Sequence, residues 1–139
     1  MARVTIFRIR EAADLLGVSD DTVRRWADSG RVTTTTDESG RLSIEGSVLA
    51  RFAIELAASY ESPEPLPVVR ESARNRFVGL VTRVVRDKVM AQVEIQAGPH
   101  RIVSLMSREA ADELGLEPGV LAVAAVKSTN VVVEVPTHP

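Results

Sequence analysis

The sequence predicts an α+β protein in two parts, a small helical module followed by a small closed β-set. Three observations lead there. Residues 1–60 show apolar positions at helical spacing around glycine-ended turns, with one Thr-rich insert. Residues 72–136 are dominated by β-branched residues at strand spacing. Between them lies "ESPEPLPVVRE", residues 61–71, with Pro63, Pro65 and Pro67. A proline at every second position cannot continue a helix and favours extended polyproline geometry, so this stretch reads as a semi-rigid linker.

Composition sets the bounds. A chain of 139 residues allows one ordinary domain or two small ones. Aromatic residues make up only 4%, so the cores must be aliphatic. The formal net charge is -2, which gives no global field to attract nucleic acid; any DNA contact must come from a local patch. Cysteine is absent, which excludes disulfides, thiolate metal sites and cysteine nucleophiles. The first ten residues lack the apolar core of a signal peptide, and no apolar run reaches the roughly 18 residues of a membrane helix. A cytoplasmic location is expected. No nucleophile–base pair, metal cluster or phosphate loop is found, so an enzyme is not expected.

The first part is justified element by element. "IREAADLLGV" reads as a short helix with Ala12, Leu15 and Leu16 on one face, ended at Gly17. "SDDTVRRWADSG" reads as a second helix. Ser19 is its N-cap, and Asp20 and Asp21 sit in the first turn, where the helix dipole favours anions. Val23, Trp26 and Ala27 form its buried stripe, Thr22, Arg25 and Ser29 lie on another face, and Gly30 ends it. "RVTTTTDESGRLSI" reads as a β-hairpin of residues 32–36 and 41–44 around a "DESG" turn. Leu49, Phe52, Ala53 and Leu56 mark a third helix. Helix, turn, helix, hairpin and helix make a winged helix-turn-helix.

"FRIREAADLLGVSDDTVRRWADSGRV" resembles the DNA-binding domain of the MerR/excisionase superfamily. The matching features are Glu-Ala-Ala, Gly-Val-Ser at the turn, Thr-Val-Arg-Arg-Trp on the second helix and Gly-Arg-Val before the wing. The resemblance covers residues 5–56 and implies that the second helix lies in a DNA major groove. Thr22, Arg24 and Arg25 would then meet bases or phosphates, with Arg31 at the start of the wing segment and Arg41 at its tip. No long dimerising coiled coil follows the third helix, so dimerisation must come from elsewhere. Charge alone does not argue for DNA: residues 1–60 hold eight Arg against nine Asp or Glu.

The second part reads as about five strands and one short helix. "RFVGLVTRVVRDKV" is a partly alternating strand ending in a turn. "MAQVEIQAG" places Ala91, Val93 and Ile95 on one face. "GPHR" is a turn, "RIVSLMS" a strand, and "SREAADELGLEPG" a helix capped by Ser107 and closed at Gly115. "VLAVAAVKSTNVVVEV" gives two more strands broken at residues 127–130. A β-set of this kind closes into an OB-like barrel.

"SARNRFVGLV", "SLMSREAADELGLEPG" and "AAVKSTNVVV" together resemble the molybdate-binding Mop (molbindin) form of the TOBE domain, over residues 72–135. Molybdate is a tetrahedral dianion that needs donors on several sides and positive charge against its desolvation. The resemblance implies a pocket with Ser72, Ala73 through its backbone, and Arg74 as one wall, Ser107 as a hydroxyl beside a helix N-terminus, and Lys127 and Ser128 as the other wall. Asn75 is expected to fix the loop rather than touch the ligand. Many relatives have Ser where this chain has Ala110. No metal cation is implied, and His100 and His138 are expected to be exposed. Such sites are often shared between subunits, and related single-unit molbindins form hexamers, so a homo-oligomer from dimer to hexamer is implied. The combination suggests a molybdate- or tungstate-responsive transcription regulator. Two other readings stay open: a molybdate storage or buffer protein, and a DNA-binding protein whose TOBE half only oligomerises.

Overall fold

A computed structural model describes residues 4–60 and 75–136. The chain is α+β and divides into two compact units, Met1–Glu61 and Ser62–Pro139. The expected linker, residues 61–71, lies outside the described residues.

The first unit runs β1 (Ile6–Arg8), α1 (Ile9–Leu16), α2 (Asp20–Asp28), β2 (Thr35–Thr36), β3 (Leu42–Glu45) and α3 (Gly46–Ala58). Helix α1 begins at Ile9, so its inward stripe passes through Ile9, Ala12 and Ala13, all buried, with Leu16 partly buried behind them. Leu15, expected inside, is 64% exposed. The expected stripe was phased from Ala12, whereas the true first turn starts three residues earlier. Helix α2 is capped as expected, with the Ser19 hydroxyl accepting the Thr22 N–H at 3.2 Å. Its end is a Schellman motif: Gly30 N–H donates to Ala27 O and Arg31 N–H to Trp26 O, with Gly30 at φ 79°. Trp26 is partly buried and meets Phe52 edge-on, with centroids 5.1 Å apart.

The expected hairpin is a three-stranded sheet of order β1-β3-β2. Strand β3 runs antiparallel to both neighbours, pairing Phe7 with Ile44 and Thr35 with Ser43. The strand expected over residues 32–36 shrinks to Thr35–Thr36 because Val32 is drawn into the core. The turn is tied by Asp37, whose Oδ1 accepts from the Ser39 N–H, the Ser39 hydroxyl and the Arg41 N–H at 2.6–2.9 Å. The core holds Ile9, Val23, Val32, Ile44, Leu49 and Phe52.

The second unit runs β4 (Asn75–Arg86), β5 (Met90–Ala97), β6 (His100–Ser107), α4 (Arg108–Glu113), β7 (Leu121–Val126) and a short 3-10 turn, Ser128–Asn130. The sheet order is β6-β5-β4-β7, antiparallel throughout. Strand β4 serves two neighbours in turn, so the sheet curls: its first half, from Asn75 to Leu80, pairs with β7, and its second half, from Leu80 to Arg86, pairs with β5. The register shift between Val81 and Arg83 marks the bend. Gly79 sits beside that bend, where an added Cβ would stand 2.4 Å from Gln96 O. Ala91, Val93 and Ile95 are buried as expected, together with Val81, Ala111 and Leu116.

The fifth expected strand is not formed. Residues 131–136 are extended without strand pairing, and Val132, Val133 and Val135 are more than 80% exposed. Their β-branched composition predicts a strand, but they pair with neither edge of the sheet. The long β4 takes β7 on one side and β5 on the other, leaving β6 and β7 as the edges.

Candidate functional site

In the first unit, Arg24 and Arg41 line one cavity of about 370 Å³. Arg24 stands one helical turn after Asp20 on α2, and Arg41 leads out of the wing turn into β3. Sequence reasoning missed two further residues that line this cavity, Arg8 at the end of β1 and Arg10 on the first turn of α1. The signal was present in "FRIR": Arg8 and Arg10 flank the buried Ile9, so both must turn outward. Thr22 and Arg25 are neighbours on α2, with Arg25 Nη2 donating to Thr22 Oγ1 at 3.4 Å. The Thr22 hydroxyl also shares a 2.9 Å hydrogen bond with Ser19, so part of its capacity serves the cap. Arg31 is placed elsewhere. Its guanidinium lies 5.4 Å from the Trp26 ring centre and 5.6 Å from that of Phe52, a double cation–π contact. It lines a different cavity with Arg51 and Glu55.

The wing turn has its own electrostatics. The Ser39 hydroxyl, then the Arg41 and Ser39 backbone N–H groups and the nearby Arg8 charge, hold the Asp37 carboxyl below its ordinary range. The ionised carboxylate thus organises the turn that presents Arg41.

In the second unit, Ser72, Ala73 and Arg74 lie outside the described residues. Asn75 opens β4 opposite Val126, and its side-chain Nδ2 donates to Val126 O at 3.1 Å. That bond ties the start of β4 to the residue before Lys127. Lys127 and Ser128 follow β7 on an exposed turn closed by Asn130 N–H donating to Lys127 O at 2.9 Å. The cation of Lys127 and the hydroxyl of Ser128 suit an oxyanion chemically, and both are accessible.

Ser107 is at the other end of the sheet. It pairs with Met90, at the end of β5 that joins Arg86 of β4. Asn75 and Arg86 are the two ends of the twelve-residue β4, so Ser107 and Lys127 lie toward opposite ends of the sheet. One chain therefore brings Asn75, Lys127 and Ser128 together and leaves Ser107 apart. The Ser107 Oγ accepts the Ala110 N–H at 3.1 Å, which leaves its own O–H free to donate to an anion. At this end Arg86 binds Asp112, Leu116 O and Glu117 at 2.9–3.0 Å, lashing α4 and the loop after it to β4. Among the described residues there is no group of three or more His, Cys, Asp or Glu suited to a metal ion.

Comparison with known proteins matches both units. A TOBE domain model matches residues 71–133, and a helix-turn-helix domain model matches residues 6–53. Molybdenum-pterin-binding protein 2 of Clostridium pasteurianum is 38% identical over 63 residues, which is 45% of this chain and 93% of that protein. Molybdenum transport protein ModE of Herbaspirillum seropedicae is 38% identical over 65 residues, 46% of this chain but 24% of that protein. The solved structure of MopII from Clostridium pasteurianum is 36% identical, with a TM-score of 0.45, over 48% of this chain and all of that one.

Proposed function

The chain belongs to the TOBE-domain family through residues 71–133 and carries a helix-turn-helix domain at residues 6–53, and from that premise we propose that it is a molybdate- or tungstate-responsive DNA-binding transcription regulator. The observation that carries this reading is the presence of both domains on one chain, each with cations at its surface. On the first, Arg24 and Arg41 share a cavity beside the second helix of the motif. On the second, Lys127 and Ser128 stand beside the start of β4, where Ser72, Ala73 and Arg74 precede Asn75 in sequence. Small relatives that consist almost wholly of the TOBE region are named for binding a molybdenum compound, which supports molybdate as the ligand here.

The oxyanion is held between chains. On this reading the wall of Lys127 and Ser128, and the Ser72, Ala73 and Arg74 that precede Asn75 in sequence, come from one protomer, and the Ser107 hydroxyl comes from another. The placement of these groups toward opposite ends of β4 supports this division. So do the two free sheet edges, β6 and β7, and the apolar groove of about 440 Å³ lined by Val93, Ile95, Met106, Leu116, Ala122 and Ala124. The homo-oligomer so formed fixes the spacing of the recognition helices, and the ligand acts by preferring one arrangement over another. A regulator of this kind would work in the cytoplasm, where the DNA of a cell without a nucleus lies.

The test is a gel shift of the full chain on promoter DNA upstream of molybdate-transport genes, with and without molybdate, alongside calorimetry with molybdate, tungstate and sulfate. A mobility shift whose midpoint moves with molybdate supports the regulator. Heat with molybdate and no DNA affinity at low salt leaves a storage protein. DNA affinity with no heat from either oxyanion leaves a TOBE domain that only assembles the chain.

A further inference from the structure

The cavity between the wing and the first two helices holds more positive charge than the two arginines expected there. Arg8, Arg10, Arg24 and Arg41 line it, coming from β1, α1, α2 and the approach to β3. One carboxylate, Asp20, lines it with them. Arg8 also has Asp37 at 3.8 Å, a long contact on a side chain 56% exposed, which contributes little. Among the described residues no ion pair or side-chain hydrogen bond holds Arg10, Arg24 or Arg41. The concentration is local, since residues 1–60 carry nine acidic against eight basic side chains. Four arginines against one aspartate leave the lining with a net positive charge, which favours an anion there.

We propose that Arg8 and Arg10 join Arg24 and Arg41 in a clamp on the phosphodiester backbone of duplex DNA. The proposal rests on the DNA-binding reading above and assigns it two residues outside the helix and wing positions already named. The four cations approach from four separate elements. That arrangement suits a strand of phosphates crossing the cavity and not the edge of one base, which a single helix reads. Guanidinium forks match phosphate oxygens in pairs, so arginine is the suitable cation. The clamp would set the register of α2 on the duplex and add affinity for any sequence.

The experiment is the salt dependence of duplex affinity for the full chain, measured by fluorescence anisotropy on a promoter duplex and on a mixed-sequence duplex. Removing one phosphate contact flattens the slope of log K against log salt concentration by about 0.9. Arg10→Gln and Arg8→Gln are each expected to flatten it by that amount and to weaken both duplexes by the same factor. Arg10→Lys keeps the charge and is expected to keep the slope, which separates a lost contact from a misfolded unit. Arg51→Gln, on the other cavity, is expected to leave the slope unchanged. If the wild type binds DNA and Arg10→Gln leaves the slope intact, the clamp is wrong and the regulator reading stands. A loss confined to the promoter duplex also overturns the clamp, since it marks a base contact. A wild type without duplex affinity at low salt removes both readings.

Discussion

Asn75 donates its side-chain amide to Val126 O at 3.1 Å, one residue before Lys127. The bond makes Asn75 a brace for the turn that presents Lys127 and Ser128. Lys127→Ala is expected to weaken molybdate binding by about tenfold to a hundredfold, the size of one lost charge-assisted hydrogen bond. Arg74→Ala is expected to do the same, with thermal melting unchanged in both; calorimetry measures the loss. Ser107 needs a different substitution because it also caps α4. Ser107→Ala removes cap and ligand hydroxyl together, whereas Asp is as good a cap and carries a negative charge. Ser107→Asp should therefore keep the melting temperature and abolish binding of a dianion. Binding retained in Ser107→Asp would remove Ser107 from the site. At this scale the motif pointed to Arg24 and Arg41, and these two line one cavity. Arg8 and Arg10 were overlooked because they lie outside the second helix and the wing, and join Arg24 and Arg41 around one cavity only once β1 has paired with β3. Arg31 follows a glycine in the motif, but the Schellman turn at Gly30 swings it over Trp26 and Phe52.

The elements were mostly legible from capping and periodicity, and the misses share one cause. Helices α2 and α4 carry their own stop and start signals, Ser19 with Gly30 and Ser107 with Gly115. Strand β1 is three residues long and exists only through its pairing with β3, which no local signal announces. Residues 131–135 have the opposite fault: strong local strand preference, yet they pair with neither edge strand of their own sheet. Two predictions belong here. Gly79→Ala forces a Cβ into the Gln96 carbonyl at 2.4 Å, a backbone atom that cannot step aside. The second unit should lose about 1–3 kcal/mol, read as a lower denaturant midpoint. The wing should depend on pH through Asp37, whose carboxyl is lowered in the folded state by the Ser39 hydroxyl and the Arg41 N–H. A lowered carboxyl stabilises the turn fully above its unfolded value, and this is lost as the pH falls through the lower, folded value. The protection factor of the Arg41 amide should fall in acid, and Asp37→Asn should remove that acid dependence while leaving protection lower at neutral pH.

At the scale of the whole molecule, the second unit exposes Val103, Leu105 and Leu121 on its edge strands and Val132, Val133 and Val135 beyond them. Unpaired edges with apolar side chains are avoided in lone domains, so they support assembly between chains. Val132→Lys with Val133→Lys should lower the solution mass measured by light scattering while leaving the far-ultraviolet circular dichroism of both units intact. An unchanged mass would move the interface elsewhere. On the proposed function, oxyanion and DNA bind to linked states of one assembly. Linkage requires that DNA change the affinity for molybdate by the same factor as molybdate changes the affinity for DNA. The direct measurement is the molybdate dissociation constant of the full chain, by calorimetry, with and without saturating promoter duplex. The two constants should differ, by the factor seen in the reverse titration. Equal constants, with both ligands bound, would contradict that linkage.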